Sequence, residues 1–370
     1  MNLHLRVLQE LRARRGALSG QPCFVGCDGF VDTIVKPVAR RTGQGAAFTP
    51  FGSIAEFGRR IGEAAGKSMN FEFYPEIEKL GGNGPILAGA LVAQGAPVTC
   101  VGAFGREGLH PVFAELGRRA RVYSLCEPAR TTAVEFPDGK LMFGMMRSLD
   151  EVTPAAIAAT LGADGYRAAL AAARVVVLGN WTMLPHMTEI YDDLTGRVLP
   201  QVAPDPERRF FFDLADPEKR SPDDLRTALD SIARFARFGR VQLGLNLREA
   251  QQVSVVLGLA AALDAEAGLR AGAAQIRERL GLDAVIIHPK ESAAAATAAG
   301  SWWVPGPYTA EPLLTTGAGD HFNAGWIAGQ LLGLDPEASL VTGVTTSGHY
   351  VRTGQSPTAA DLESFLANWP

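Results

Sequence analysis

The order of apolar runs and helical patterns predicts an α/β fold, with a mostly parallel central sheet covered by helices on both faces and a small additional β-lid. Short apolar runs alternate with longer helical stretches through most of the chain, and such runs are typical of strands buried on both faces. Glycine or aspartate follows several of these runs, at the strand ends where open α/β sheets bind ligands. One hairpin pattern lies outside the alternation and predicts the lid.

Length, composition and charge narrow the class of protein. A chain of 370 residues with 47% hydrophobic and 20% charged residues is typical of a globular protein with a large core. The net charge of -4 predicts neither a nucleic-acid partner nor binding to an acidic membrane. Four scattered cysteines predict no disulfide framework, and the six histidines show no metal-ligand spacing. Because residues 1–20 lack a signal-peptide core and no apolar run could span a membrane, we expect a cytoplasmic protein.

The first part of the chain is predicted to begin with a helix and a buried strand. Residues 1–20 carry apolar side chains at helical spacing, and residues 23–26 form an apolar run typical of a central parallel strand. Asp28 and Asp32 follow the carboxyl end of that strand, where they could bind a ligand or shape the strand end. The next predicted elements are an extended segment at 31–38, a loop at 42–50, a helix at 54–65 and a strand at 70–74.

A glycine-rich turn comes next. Gly81, Gly82 and Asn83 precede a predicted helix at 86–94, and a predicted strand at 98–102 follows that helix. The turn is weak as a dinucleotide fingerprint, because no strand is predicted to lead directly into it with G-x-G-x-x-G spacing. The residues by themselves therefore indicate a helix start with two turn glycines.

Three short strands are predicted at 122–126, 131–136 and 141–146, and residues 137–140 supply a hairpin turn between the last two. This two-strand unit is the part of the pattern that predicts a lid. Arg147 follows the hairpin, where it either faces a ligand or forms an exposed salt bridge.

From residue 174 onward strands and helices alternate, which predicts a parallel sheet covered on both faces. The alanine-rich segments 155–173 and 293–298 are expected to be helical, because alanine has the highest helix propensity. The predicted strands are 174–178, 210–213, 241–245 and 284–288, and the predicted helices between them are 187–198, 223–238 and 263–280.

Polar residues follow two of these strands. Asn246 and Glu249 stand where a strand ends and a helix begins, and their spacing is that of a capping box, an interpretation that is complete without a ligand. Asp213 and Asp216, at the end of the strand predicted at 210–213, are interpreted as structural.

A cluster of small residues followed by an acidic side chain lies within residues 313–325. Gly317, Ala318 and Gly319 directly precede a helix predicted at 320–332, so a ligand could approach their backbone closely. The unpaired N–H groups and the positive dipole end of a helix start together form an anion site. Asp320 either caps this helix or acts as a base beside the anion. Phosphoryl transfer needs both a site for the moving charge and an acceptor that orients the attacking hydroxyl.

The sequence Thr-Thr-Gly-Ala-Gly-Asp-His-Phe-Asn-Ala-Gly at 315–325 closely resembles the C-terminal signature of the ribokinase-like (PfkB-type) carbohydrate kinases. Gly-Gly-Asn at 81–83 and Asn-x-x-Glu at 246–249 resemble two further motifs in the order of that family. The resemblance implies a ribokinase-like fold, formed by one domain over residues 1–370 with lid segments at approximately 31–80 and 121–149. It also implies transfer of the γ-phosphoryl of ATP to a hydroxyl of a sugar or a sugar-like small molecule.

The resemblance further implies roles for individual residues. Asp320 would act as the catalytic base, ionised at neutral pH because an unperturbed aspartate has a pKa of about 3.9. Glu249 would act on Mg²⁺ through water. ATP and Mg²⁺ are therefore expected, while a monovalent cation and a homodimer through the β-lid are left open. The phosphoryl charge would be held by Gly317, Ala318 and Gly319, the acceptor by Asp28, Asp32, Gly81, Gly82, Asn83 and Arg147, and the nucleotide by Asn246, Lys290, Thr316 and Asn323.

Three departures from the family pattern leave alternatives open. Leu314 replaces an aspartate, Ile86 replaces an asparagine, and residues 289–292 replace a Thr-x-Gly-x-x-Gly pattern that lines the nucleotide site. Lys290 in that segment is either a phosphate contact or a surface lysine. One alternative is a nucleoside kinase or an ADP-dependent sugar kinase of the same fold. The other is a non-catalytic sugar-binding or regulatory protein.

Overall fold

The strands of the computed structural model, which describes residues 2–260 and 262–370, form one large sheet and one small sheet. In chain order they are β1 (Cys23–Gly26), β2 (Phe30–Arg41), β3 (Phe48–Pro50), β4 (Glu72–Gly81), β5 (Val98–Ala103), β6 (Arg121–Cys126), β7 (Ala129–Phe136), β8 (Gly139–Met145), β9 (Val175–Leu178), β10 (Arg209–Asp213), β11 (Arg240–Leu245), β12 (Ala284–Ile287), β13 (Ser292–Thr297) and β14 (Gly300–Pro305).

The large sheet has nine strands among the described residues, in the spatial order β14-β13-β12-β11-β10-β9-β1-β5-β6. The pairs from β6 across to β12 are parallel, and β13 and β14 add an antiparallel edge. The carboxyl ends of β1, β9, β10, β11 and β12 therefore lie along one edge, which is where an open α/β sheet binds its ligand. The predicted α/β class with a mostly parallel sheet is confirmed.

Helices cover both faces of the large sheet. In chain order the helices are α1 (Leu3–Arg14), α2 (Ile54–Gly62), α3 (Asn83–Gln94), α4 (Ala114–Arg119), α5 (Pro154–Leu161), α6 (Ala163–Ala172), α7 (Met187–Asp193), α8 (Pro222–Ala233), α9 (Leu247–Leu257), α10 (Glu266–Leu280), α11 (Ala318–Leu331), α12 (Pro336–Thr353) and α13 (Ala359–Ala367).

Within residues 2–260 and 262–370, no helix combines the length and the apolar character that crossing a bilayer would require.

Strand β10 shows how the sheet divides the hydrophobic core into two layers. Phe210 and Phe212 point to the core that contains Phe235 of the segment after α8, whereas Phe211 points to the opposite core with Trp326 of α11. Successive strand residues face opposite sides of a sheet, so an uninterrupted aromatic run requires burial on both faces. The Trp326 indole N–H donates to Gln242 Oε1 of β11 at 2.9 Å, which satisfies the buried indole donor and the buried amide oxygen.

The small sheet forms the lid. Strand β2 is its centre and pairs in parallel with β7 and antiparallel with β3 and β4, while β8 extends it from β7. A separate apolar cluster fastens α2 to one face of this sheet. Its buried members are Val35, Phe51, Phe57, Val134 and Phe136.

The prediction of a helix at 293–298 is wrong, because this alanine-rich segment forms strand β13. β13 pairs with β12 and β14, and Ala293–Ala296 are almost completely buried. Helices α10 and α12 pack against this strand, so the small side chains let them approach the sheet closely. Tertiary packing here overrides the helix propensity of alanine.

Three other boundaries differ from the predictions. Strand β6, which falls inside the lid segment predicted at 121–149, pairs in parallel with β5 in the large sheet. Strand β4 continues to Gly81 and leads directly into the glycine turn, where no leading strand was predicted. The loop predicted at 42–50 contains β3. The helix predicted within 1–20 is confirmed as α1, and Met1 lies outside the described residues.

Candidate active site

The candidate site is a cavity of about 690 Å³ at the carboxyl edge of the large sheet. The ends of β10, β11 and β12 supply part of its wall, and the first turns of α3, α9 and α11 supply more. This volume is within the usual range for a cofactor or drug-sized ligand. Of the candidate site residues from the sequence, those lining this cavity are Asn83, Asn246, Glu249, Lys290, Gly317, Ala318, Gly319 and Asp320.

Helix α11 begins two residues earlier than predicted, and this changes the position of Asp320 within it. Gly317 is the N-cap residue, with φ of +93°, a left-handed value that favours glycine. Asp320 is therefore in the first turn rather than at the cap. Its Oδ1 accepts from Asn83 Nδ2 at 2.9 Å, so the interpretation as a simple N-cap does not hold.

The first turn of α11 presents unpaired backbone donors to the cavity. The N–H of Ala318 is bonded to the Thr315 carbonyl at 3.2 Å. Among the described residues, the N–H groups of Gly317, Gly319 and Asp320 have no hydrogen-bond acceptor. Such donors at the positive end of a helix suit an oxyanion.

Buried negative charge surrounds Asp320, which is 7% exposed. Burial, followed by repulsion from Asp213 and Asp28, raises the pKa of Asp320 well above its usual range, and the hydrogen bond from Asn83 only partly opposes this rise. The expectation of an unperturbed pKa is therefore wrong. A raised pKa makes the carboxylate a stronger base at neutral pH, as general-base catalysis favours.

Asp28 joins β1 to the first turn of α3. Its carboxylate accepts from the N–H groups of Asn83 and Gly84, both at 2.8 Å, and from Asn180 Nδ2 at 2.6 Å. A Cβ on Gly84 would lie 2.7 Å from Asp28 Oδ1, so glycine is required for this close approach. The N-cap residue of α3 is Gly82, which has no side chain that could cap the helix. The Asp28 carboxylate, which accepts three hydrogen bonds on a residue that is 1% exposed, acts as this cap instead.

Asp32 lies on the lid, beside the glycine turn. It is opposite Lys79 of β4 and Thr131 of β7 in the sheet register, so all three share one lid face. A side chain on Gly81 would collide with the Asp32 carboxylate. Burial raises the pKa of Asp32, while Lys79, the Thr131 hydroxyl and Lys140 oppose this.

Asp213 and Glu249 form a second group of buried carboxylates in the cavity lining. The Glu249 oxygens accept from the N–H groups of Asp216 and Asn246, both at 2.8 Å. The Asn246 side chain accepts from Glu249 N at 3.0 Å, which confirms the predicted capping box. Burial and the Glu249 charge raise the pKa of Asp213 well above its usual range, and burial raises the pKa of Glu249.

Asn323 connects α11 to this carboxylate pair. Its Nδ2 donates to Asp213 Oδ2 at 2.7 Å, and its buried Oδ1 finds no hydrogen-bond partner within the described part of the chain. Asn323 does not line the cavity, so it contacts the site through Asp213. Asp213 itself does line the cavity, in contrast to its interpretation from the sequence as structural.

Lys290 and His288 line the cavity in the segment that departs from the family pattern. Lys290 is exposed at the surface, and the His288 ring packs against Phe322 with centroids 4.7 Å apart. Burial lowers the pKa of His288 to about 4, so this imidazole is neutral at physiological pH. Arg147 is exposed and does not line the cavity.

The turn before α11 is held from two sides. The Thr316 carbonyl accepts from the Tyr350 hydroxyl at 2.8 Å, and the Thr316 hydroxyl accepts from Lys140 of the lid. His321 Nδ1 lies 2.7 Å from the Gly317 carbonyl, and its ring stacks on Tyr350 at 3.7 Å. Burial lowers the pKa of His321 to about 4.

Sequence reasoning missed several residues of this arrangement. The position of Asp213 at a strand end was a usable signal, since strand ends meet at the ligand edge. Asn180 follows β9 at the same edge and carries the same signal. Lys79, Lys140 and His321 carried no local signal, because their neighbours come from distant parts of the chain.

Comparisons with known proteins agree with the fold. A carbohydrate kinase from Agrobacterium tumefaciens superposes with a TM-score of 0.63 at 18% identity, over 94% of this chain and 97% of that one. An Arabidopsis thaliana ribokinase, solved with ribose and ATP, superposes with a TM-score of 0.63 at 15% identity, over 94% and 98% of the chains. These likenesses support the ribokinase-like fold.

Sequence comparison identifies the family. The ketohexokinase of Haloferax volcanii is 29% identical over 354 residues, which cover 95% of this chain and 92% of that protein. The sequence profile of the prokaryotic ketohexokinases matches residues 8–369, almost the whole chain. The predicted carbohydrate kinase, which phosphorylates a sugar with ATP, is thereby confirmed. The chain belongs to the prokaryotic ketohexokinase family.

Proposed function

We propose that this protein transfers the γ-phosphoryl of ATP to a hydroxyl of a ketohexose. The observation that carries this proposal is the Asp320 carboxylate, buried beside unpaired N–H groups of α11 and bonded to Asn83 below the lid. A base and an oxyanion site side by side are what phosphoryl transfer to an alcohol requires. The choice of a ketohexose rests on the family and on the name of the Haloferax volcanii relative.

The proposed step uses Asp320 as general base. The sugar hydroxyl oxygen attacks the γ-phosphorus, and the bond between that phosphorus and the bridging oxygen breaks, leaving its electron pair on ADP. The hydroxyl proton passes to Asp320. The N–H groups of Gly317, Gly319 and Asp320 hold the charge on the moving phosphoryl.

The acceptor would bind between the lid and the first turn of α3. Asp32 would accept hydrogen bonds from its hydroxyls, with Asn83 and the backbone of Gly81 and Gly82 beside it. Asp28 has its oxygens occupied by backbone and Asn180 donors, so we assign it to positioning α3 rather than to the sugar. The exposed position of Arg147, outside the cavity lining, gives no support for a direct contact.

The nucleotide would occupy the remainder of the cavity. Its walls combine polar groups from Asn246 and Lys290 with apolar groups from Tyr308, Val344 and Val351, a mixture suited to phosphates and a base. We propose that Thr316 and Asn323 act indirectly. Thr316 would hold the turn before α11, and Asn323 would orient Asp213.

Mg²⁺ fits the Asp213 and Glu249 carboxylate pair that lines this cavity. Two buried carboxylates with raised pKa values line the cavity, and a divalent ion relieves the repulsion between such charges. Glu249 and Asp213 would hold the ion, with Glu249 acting through water, since magnesium is usually bound by few carboxylates. When bound, the ion neutralises charge on the donor phosphates. A monovalent cation is tested by comparing rates in potassium, sodium and tetramethylammonium buffers.

We also infer a homodimer that forms through the lid. Phe143 and Met145 of β8 are 48% and 61% exposed. They point to one face of the lid sheet, and Lys140 points to the other face. Large apolar side chains grouped on one surface favour a protein partner. Equilibrium sedimentation of wild type and of Phe143→Ser/Met145→Glu tests this, with a dimer expected only for the wild type.

Three further inferences complete the proposal. The chain forms one domain over residues 1–370 with two lid segments, and the second of these starts after Cys126, where β6 leaves the large sheet. A cytoplasmic location is supported by four buried, unpaired cysteines, which suit a reducing compartment. The reaction as proposed involves no nucleic acid and no membrane.

A panel of acceptors tests the proposed function. Purified protein is incubated with Mg²⁺ and either ATP or ADP, together with ketohexoses, aldoses, pentoses or nucleosides. We expect phosphorylated product with a ketohexose and ATP, at a kcat/KM at least tenfold above that for any nucleoside. Preference for a nucleoside, or for ADP as donor, would instead establish one of the alternatives. Binding of sugar and ATP without product would indicate a non-catalytic protein.

A further inference from the structure

A lysine from the lid reaches the anion site at the start of α11. Lys140 is the second residue of β8 in the lid hairpin, and its ammonium donates to the hydroxyl of Thr316 and, at 3.4 Å, to that of Thr315. These threonines directly precede the N-cap of α11 and lie 175 and 176 residues further along the chain. The contact therefore joins the lid to the loop that holds the oxyanion site.

The electrostatic setting of this ammonium is unusual. A lysine at the start of a helix faces the positive end of the helix dipole, which is unfavourable. Among residues 2–260 and 262–370, no carboxylate lies within 4.0 Å of the Lys140 ammonium, and the hydrogen-bond partners of this ammonium are neutral hydroxyls. Lys36 of the same lid, by contrast, pairs with Glu76 at 2.7 Å. Two positive features therefore converge on one point, and no acidic side chain of the described residues forms an ion pair with Lys140 there.

The point where they converge borders the reaction path. Thr315, Gly317 and Asp320 all line the 690 Å³ cavity, so an anion held by the free N–H groups of α11 would lie within reach of the lysine. Partial burial lowers the pKa of Lys140, as expected for an ammonium withdrawn from bulk water, while Glu135 and Asp32 oppose this. In such a setting charge–charge attraction is stronger than it is in water.

We propose that Lys140 is a catalytic residue that contacts the transferred phosphoryl group and neutralises its charge from the lid side. This proposal rests on the proposed function. Lys140 keeps its proton throughout, because the hydroxyl proton goes to Asp320 and the electron pair of the broken bond goes to ADP. The amides of α11 and the Lys140 ammonium would then approach the phosphoryl oxygens from opposite sides. The lid would complete the site only when it lies over the carboxyl edge of the large sheet, which links closure to turnover.

Kinetics of three variants test the catalytic role. Lys140→Met removes the charge and keeps the length, Lys140→Arg keeps a charge, and Lys36→Met is a matched lid control. We expect Lys140→Met to lower kcat about 10²–10³-fold, as the loss of one oxyanion donor does, with the KM of the sugar changed less than threefold. Lys140→Arg should keep at least a tenth of the rate, and Lys36→Met should match wild type. A kcat within threefold of wild type for Lys140→Met would overturn the proposal.

Chemical restoration separates charge from structure. All four native cysteines are buried, and burial raises the pKa of Cys23 and Cys27 to about 12, so they react poorly with alkylating agents. Alkylation of Lys140→Cys with 2-bromoethylamine should place an ammonium close to the original position. We expect this treatment to restore the rate at least tenfold, and failure to restore it in the folded, alkylated protein would overturn the proposal.

Calorimetry distinguishes failure of this proposal from failure of the proposed function. Wild type should bind the β,γ-imido analogue of ATP more tightly than ADP, and Lys140→Met should lose at least tenfold of that preference. An unchanged preference, or equal loss for both nucleotides, would overturn the assignment of Lys140 to the third phosphate. Absence of product from wild type with every acceptor would instead refute the proposed function, and the nucleotide comparison would still decide whether Lys140 contacts the third phosphate.

Discussion

Replacement of Asp320 by asparagine is the sharpest test of the proposed mechanism, because it should lower activity and raise stability together. The side chain keeps its size, and an amide oxygen can still accept from Asn83 Nδ2, which lies 2.9 Å from Oδ1. Only the proton-accepting charge is lost. General-base catalysis contributes about 10²–10⁴ in rate, which is about 3–5 kcal/mol of activation free energy. We therefore expect kcat to fall by that factor, with little change in nucleotide affinity.

The stability change follows from the raised pKa of Asp320. The folded protein binds the Asp320 proton more tightly than the unfolded chain does, so proton binding stabilises the folded state. This stabilisation is complete below the unfolded pKa of about 3.9. It is lost as the pH rises through the folded pKa. At neutral pH the buried charge therefore destabilises the wild type, and Asp320→Asn removes this effect. Each tenfold change in proton affinity corresponds to about 1.4 kcal/mol.

Thermal unfolding measures this difference. At about 2.1 cal/mol/K per residue, unfolding of 370 residues has an entropy of about 0.8 kcal/mol/K, so each kcal/mol shifts Tm by about 1.3 °C. Asp320→Asn should melt above wild type at pH 8, and the difference should disappear near pH 4. The matched control is Asp335→Asn, because Asp335 does cap a helix through Ala338 N and should change neither rate nor Tm much.

The pH dependence of the wild-type rate provides a third measurement. Because Asp320 must be ionised to accept a proton, its raised pKa moves the acidic limb of kcat/KM to higher pH than an ordinary carboxylate would give. Two results would refute the reasoning. One is a rate that stays constant from pH 8 down to pH 5. The other is an Asp320→Asn protein that turns over at the wild-type rate.

Other variants test the remaining parts of the site. Asp32→Ala should weaken acceptor binding by about 1–3 kcal/mol and leave nucleotide binding unchanged in calorimetry, so equal loss of both would contradict its role. Glu249→Gln should raise the Mg²⁺ concentration for half-maximal rate at least tenfold, whereas Asp361→Asn, in another capping box, should not. Because both Glu249 oxygens accept backbone N–H bonds, the glutamine variant should also lose about 1–3 kcal/mol of stability. Gly84→Ala should lower the free energy of unfolding by about 1–3 kcal/mol, because the added Cβ would meet the carboxylate that caps α3. The control is Gly89→Ala in the same helix, where the added Cβ would enter open space, so this change should be neutral or stabilising.

Local features of this molecule were predictable because they depend on residues close in sequence. The capping box of Asn246 and Glu249 and the small residues before α11 act within one helical turn. The order of strands and helices follows from periodicity, which depends only on neighbouring residues. The family followed from motifs in a fixed order, and the comparisons confirm it.

The tertiary structure alone decided features that depend on distant residues. Asp28 caps a helix that begins 55 residues later, and Lys140 of the lid reaches Thr316. Asp213, interpreted from the sequence as structural, lies in the cavity beside Glu249 because β10 and β11 are neighbours in the sheet. Its raised pKa, like that of Asp320, comes from burial and from charges that separate strands bring together. The alanine-rich β13 is a strand because helices pack on it closely, a constraint that helix propensity does not contain.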